Sequence, residues 1–99
     1  MIVIIGPEAE ADLERIGNAI AEHNTVRAVI FVRELRRKCE ALADAPKGYA
    51  VVHRYKHDGI RRVVHGNYLI FYHVGVHQID VMRILHGAMD YEAILYSKD

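Results

Sequence analysis

The stretch from Gly59 to Leu95 limits most tightly what this chain can fold into. It reads Gly-Ile-Arg-Arg-Val-Val-His-Gly-Asn-Tyr-Leu-Ile-Phe-Tyr-His-Val, then Gly-Val-His-Gln, then Ile-Asp-Val-Met-Arg-Ile-Leu-His-Gly-Ala-Met-Asp-Tyr-Glu-Ala-Ile-Leu. Two tight punctuations separate three runs of β-branched, aromatic and apolar residues. Gly66-Asn67 is a dipeptide suited to a two-residue hairpin turn, because Gly has no Cβ to clash at positive φ and Asn tolerates the left-handed region. Gly75 opens a second turn. The pattern predicts an antiparallel meander with strands at 60–65, 68–74 and 79–85. In the middle strand Tyr68, Ile70, Tyr72 and Val74 alternate with Leu69, Phe71 and His73. Both faces are largely apolar, so this strand is central. Plain alternation puts Ile79, Val81, Arg83 and Leu85 on one face of the third strand and Asp80, Met82 and Ile84 on the other.

The residues before the meander are patterned to cover it. Ile2 to Ile5 is a β-branched run that ends at Gly6-Pro7, and it reads as a short strand. Pro7 suits the first turn of a helix, where its missing N–H costs nothing. Glu8, Glu10 and Asp12 place negative charge at the positive end of the helix dipole. Ala9, Leu13, Ile16 and Ile20 form one apolar stripe, which predicts a helix over about 7–23. Gly17 inside it suits close approach of a second helix. Thr25 is the expected N-cap of that second helix, along which Ala28, Phe31, Leu35, Cys39 and Leu42 recur at helical spacing as far as about Ala43. Arg33, Arg36, Arg37 and Lys38 read as a dipole-matched solvated face or as a contact surface for an acidic partner. Asp44-Ala45-Pro46-Lys47-Gly48 is a turn. Tyr49 to Asp58 reads as a loop with some strand content at Ala50-Val51-Val52. Asp90 caps a short terminal helix reaching Tyr96, with Tyr91, Ile94 and Leu95 packing back. The expected fold class is α+β, with a helical hairpin on an antiparallel sheet, in a single domain over 1–99.

Composition narrows the function. The chain has 99 residues, with 13 Lys plus Arg against 13 Asp plus Glu, so its formal net charge is zero. Non-specific grip on nucleic acid rests on neutralising phosphates, and this balance gives no overall basic excess for it. The single cysteine excludes an internal disulfide and suits a reducing cytoplasm. Met1 to Ile5 is too short for a signal-peptide core, and no run approaches the ~20 apolar residues that span a bilayer. A cytoplasmic location with no membrane partner is expected.

Few residues are patterned for catalysis. His53/His57 and His73/His77 are each four apart, but neither pair falls on a predicted helix, so no metal or cofactor is expected. The only serine is Ser97, which disfavours a Ser/His/Asp triad. Cys39 lies in the apolar pattern of the second helix and reads as a buried, inert thiol. What remains is a polar set: Arg61, Arg62, His65, Arg83, His86, Asp90 and Tyr91. On an open sheet face such a set suits metal-free acid–base cleavage of RNA, the cation stabilising charge on phosphate and His or Tyr moving protons. The alternative is solvated strand residues beside a structural C-terminal polar cluster.

Gly59-Ile-Arg-Arg-Val-Val-His-Gly-Asn-Tyr-Leu-Ile-Phe-Tyr-His-Val, followed by Val81-Met-Arg-Ile-Leu-His-Gly-Ala-Met-Asp-Tyr-Glu, closely resembles the RelE/ParE toxin superfamily, and within it the ParE branch. Ala11-Asp-Leu-Glu-Arg-Ile is similar to that family's first helix, and Arg27-Ala28 with Phe31 and Leu35 to its second. The resemblance runs from about residue 3 to 95. It implies a toxin of a bacterial type II toxin–antitoxin module. The partner it implies is an antitoxin, of ribbon–helix–helix type, whose flexible segment wraps the toxin in a hetero-oligomer.

The RelE branch cleaves messenger RNA in the ribosome, whereas the ParE branch inhibits DNA gyrase without nuclease chemistry. Leu69 stands where RelE-like nucleases carry Arg, and His86-Gly87-Ala88-Met89 offers no Arg after the last strand. The expectation is therefore a ParE-like gyrase inhibitor with no catalytic residues and no direct nucleic-acid binding of its own. Met89 departs from the ParE-like pattern, where Arg is common. On this reading Arg61, Arg62, His86, Asp90 and Tyr91 are candidates for target binding. Val3, Ile5, Phe31 and Leu35 are candidates for antitoxin binding. The alternatives are a ribosome-dependent endoribonuclease using Arg62, Arg83 and Tyr91, and a non-toxic relative that only binds antitoxin.

Overall fold

A computed structural model of the chain describes residues 1–49 and 59–96. The elements follow the expected order: β1 (Ile2–Ile5), α1 (Pro7–Ala21), α2 (Thr25–Glu40), a 3-10 turn (Ala41–Asp44), β2 (Ile60–His65), β3 (Tyr68–Val74), β4 (Gln78–His86) and α3 (Tyr91–Leu95). The Ala50-Val51-Val52 strand, the His53/His57 pair and Ser97 lie outside the described residues. No helix among the described residues is long and apolar enough to cross a membrane.

The four strands form one sheet in the order β1-β4-β3-β2. The meander is antiparallel, and β1 adds to it in parallel, with Ile2 beside Gln78 and Ile5 beside Val81. β4 is thus interior alongside β3. A β-bulge breaks plain alternation: Phe71 pairs with Arg83 but Tyr72 pairs with Val81, leaving Met82 as the extra residue. Ile79 and Val81 face the helices, and past the bulge Ile84 does so as well, while Leu85 joins the opposite face. The single-face grouping of Ile79, Val81, Arg83 and Leu85 is corrected accordingly, since one inserted residue reverses the parity after it.

The sheet separates two apolar clusters. On the helix side Ala9, Leu13 and Ile16 of α1 and Leu35 and Cys39 of α2 pack on Val63, Ile70, Tyr72, Ile79, Val81 and Ile84. Burial pushes the Cys39 thiol up to about 12, so it is protonated and inert. The buried Tyr72 hydroxyl donates to the Pro46 carbonyl at 2.9 Å, and burial raises its pKa. On the far side Ile60, Phe71 and Leu85 are sealed by Tyr91, Ile94 and Leu95 of α3 and by Leu69 and Met82. Asp90 caps α3 as expected, accepting from the Ala93 N–H.

Three local expectations are adjusted. The second helix is capped by Asn24 rather than Thr25: Asn24 is extended and its side chain accepts from the Arg27 N–H at 2.9 Å. Thr25 becomes the first helical residue. α1 ends at Ala21, two residues early, as the N–H groups of His23 and Asn24 fold back onto the Ile20 carbonyl. In the β2–β3 turn only Gly66 has positive φ (59°), while Asn67 stays in the ordinary range. Gly17 does serve helix contact: a Cβ there would lie 3.1 Å from the Val32 side chain.

Candidate functional site

The polar residues singled out in the meander divide into two groups. Arg62 stands on β2 opposite Phe71, on the face that α3 covers. Its Nη1 donates to the Tyr91 hydroxyl at 2.9 Å, and its guanidinium sits 5.9 Å from the centre of the Tyr91 ring. Tyr91 in turn packs on Phe71 at 5.2 Å between ring centres. Arg62 and Tyr91 are therefore brought together, forming a cation and a phenol on the rim of the far cluster. Arg83 is not brought to them. Its Nε and Nη2 donate to the two Asp12 carboxylate oxygens at 2.8 and 2.9 Å.

Asp12 is the buried partner that fixes Arg83 in place. Its spacing suits a helix-dipole acid near the start of α1, yet its side chain is only 1% exposed. The carboxylate also accepts from the Ile84 N–H at 2.8 Å and from Arg15. Burial alone raises its pKa, but the hydrogen bonds from Arg83, Ile84 and Arg15 outweigh this and hold it below the usual carboxylate range. Its signal in the sequence is weak, because an acid near the N-terminal end of a helix needs no second explanation.

The other candidates for target binding are partly engaged. Arg61 donates to the Tyr49 carbonyl at 2.6 Å. His86 Nδ1 accepts from the Ala88 N–H at 3.0 Å, and its ring meets Tyr68 edge-on at 5.2 Å. Asp90 is the α3 cap. His65 lies 3.5 Å from Glu34, against the Phe31 ring. No cluster of three or more His, Cys, Asp or Glu side chains that could hold a metal forms among the described residues.

The helical hairpin offers a different surface. An open groove of about 930 Å³ runs along the seam between α1 and α2. Leu13, Gly17, Ala28 and Val32 form its apolar floor, and Val29 stands at its edge, 54% exposed. Val26 and Ile30 on the same helix are also exposed. At the Pro7 end the groove is bridged by a bidentate pair, Arg36 to Glu10, at 2.7 and 3.0 Å. The hydrogen bond from Arg36 is the main cause holding the Glu10 carboxyl below its ordinary value.

The candidates for antitoxin binding sit mostly beneath this surface. Leu35 is 0% exposed and belongs to the core, so its candidacy as a contact is corrected. Val3, Ile5 and Phe31 are half-buried against the same cluster. Within β1 and α2 the large apolar residues that face outward are Ile2 and Ile4 on β1 and Val26, Val29 and Ile30 on α2. The second apolar stripe at 26, 29 and 30 was legible in the spacing, but the stronger stripe through Phe31, Leu35 and Cys39 masked it.

Comparison with known proteins agrees with the fold and the motifs. The family model for the "ParE toxin of type II toxin-antitoxin system, parDE" matches residues 3–91. Toxin ParE1 of Caulobacter vibrioides is 33% identical over 88 residues, covering 88% of this chain and 90% of that protein. Among solved structures, a chain of the chromosomal ParDE toxin–antitoxin system from P. aeruginosa superposes with a TM-score of 0.72 at 17% identity, over 87% of this chain and 95% of that one. Fold, family model and curated relative converge, and the chain belongs to the ParE toxin family of type II toxin–antitoxin systems.

Proposed function

We propose that this toxin acts by binding DNA gyrase, not by cutting RNA, and that an antitoxin silences it by laying an amphipathic helix in the α1/α2 groove. The observation that carries the first half is the Arg83–Asp12 pair. A metal-free nuclease needs a free cation near the scissile phosphate to meet the charge that develops there. Arg83 is the candidate on the last strand, and its Nε and Nη2 are both turned onto the Asp12 carboxylate, whose charge offsets its own. Arg62 and Tyr91 remain together, but they hydrogen-bond each other between β2 and the start of α3. That contact suits anchoring of the helix, with their outer edges left for a protein target. The second half rests on the open α1/α2 groove and the exposed Val26, Val29 and Ile30 of α2, since outward apolar residues beside a groove suit the apolar face of a partner helix.

The experiment is a pair of assays on the purified chain. Added to gyrase with relaxed plasmid, it is expected to block supercoiling. Added to translating ribosomes, it is expected to leave messages whole. Cleaved messages with supercoiling intact would establish the endoribonuclease reading instead. Loss of neither activity, with an antitoxin still bound, would establish a non-toxic relative.

A further inference from the structure

The two walls of the groove carry opposite charge. Glu10 and Glu14 project from α1, one helical turn apart, and Arg33 and Arg36 from α2. Antiparallel packing sets them opposite each other as two rungs. The rung nearer the Pro7 end is closed by the bidentate Glu10–Arg36 pair. The other is open. Glu14 and Arg33 both line the groove, both are exposed, and neither has an ion pair or hydrogen bond among the described residues. The apolar floor of Leu13, Gly17, Ala28 and Val32 runs between them.

We propose that the open Glu14–Arg33 rung sets the N-to-C direction in which a partner helix lies in the groove. This rests on the reading above that the groove seats an amphipathic helix. The argument is geometric. A helix that lays its apolar stripe on the floor presents one flank to each wall. Turning it end for end keeps the stripe down but exchanges the flanks. An acidic wall takes a basic flank and a basic wall an acidic one, and facing like charges repel. The closed rung is internally neutralised, so the open one supplies most of the discrimination. The matching partner is an amphipathic helix with Lys or Arg along the flank facing α1 and Asp or Glu along the flank facing α2.

The test uses a synthetic amidated helix of roughly 16 residues, about 24 Å long. It has a Leu/Ala stripe, Lys on one flank and Glu on the other, and a spin label at its N-terminus. Affinity is read by titration and direction by which toxin amides the label broadens. Against the native chain, broadening is expected at one end of the groove only, either near Pro7 or near Ala21. Glu14→Lys and Arg33→Glu are each expected to weaken binding roughly threefold to tenfold, as for loss and reversal of one exposed charge contact. The double variant Glu14→Lys/Arg33→Glu is expected to restore affinity with the broadening moved to the opposite end. Broadening at both ends of the native groove, or charge variants within twofold of native, would overturn the proposal and leave the groove as a helix site. Val29→Glu separates the two ideas. If it leaves peptide affinity unchanged, or if the native chain binds no peptide, the groove reading itself fails.

Discussion

Asp12 shows how one side chain can decide the use of another. Its carboxylate is buried, and it accepts from Arg83, Arg15 and the Ile84 N–H. Removing it would leave the Arg83 guanidinium and a backbone donor without their partner, so Asp12→Ala is expected to cost about 3 kcal/mol or more. Urea unfolding at neutral pH measures this. The acid response is signed. The folded-state pKa lies below the unfolded one, so the contribution is fully present above about pH 4. It is lost as pH falls through the depressed folded value. Asp12→Asn is therefore expected to be less stable than the native chain at pH 7 and to lose less of its stability on acidification. An equal loss in both proteins below pH 4 would show that Asp12 is not a major acid-sensitive carboxylate.

At the scale of elements, the sequence period located every helix and strand described, to within about two residues, except at the second helix's end. There α-helical hydrogen bonding stops at Glu40 and the chain tightens into the 3-10 turn over Ala41–Asp44. Periodicity could not reveal the bulge, because a bulge is a property of two strands and one sequence run carries no register. Nor could it reveal that β1 adds beside β4, since a strand of four β-branched residues fits either edge. Turn chemistry was legible at Gly66 but not at Asn67. Gly66→Ala is expected to cost about 1–2 kcal/mol, the penalty for an L side chain at positive φ, whereas Asn67→Ala is expected to be milder. Thermal melts of the two variants check this. Equal destabilisation would mean that the Asn67 side chain carries the turn.

For the whole molecule, the sheet works as a partition with one apolar cluster on each side. The larger cluster holds the helical hairpin, and the smaller is covered by Tyr91, Ile94 and Leu95 of the short α3. Ile84→Val probes the first and Ile60→Val the second. Each is expected to cost about 0.5–1.5 kcal/mol, and the double variant is expected to be additive within about 0.5 kcal/mol, because the sites lie on opposite faces and non-adjacent strands. A larger coupling, read from urea midpoints, would mean that the two clusters form one cooperative core. The candidate site was less legible than the fold. The polar residues of the meander stood out in the sequence, but their partners did not, since Arg62 with Tyr91 and Arg83 with Asp12 are separated by 29 and 71 residues. Such pairings follow from the topology and leave no trace in local spacing.

β1 stops at Ile5, and its final ladder bond runs from the Gly6 N–H to the Val81 carbonyl. Beyond that point the flank of β4 would be bare backbone, the kind of margin on which a foreign strand can template and begin aggregation. The Ile84 N–H on that margin is already held by the Asp12 carboxylate. An incoming strand would have to displace a charged group anchored by two arginines. The same acid that engages Arg83 thus acts as a gatekeeper against misassembly, and its loss is expected to show first as insolubility on overexpression.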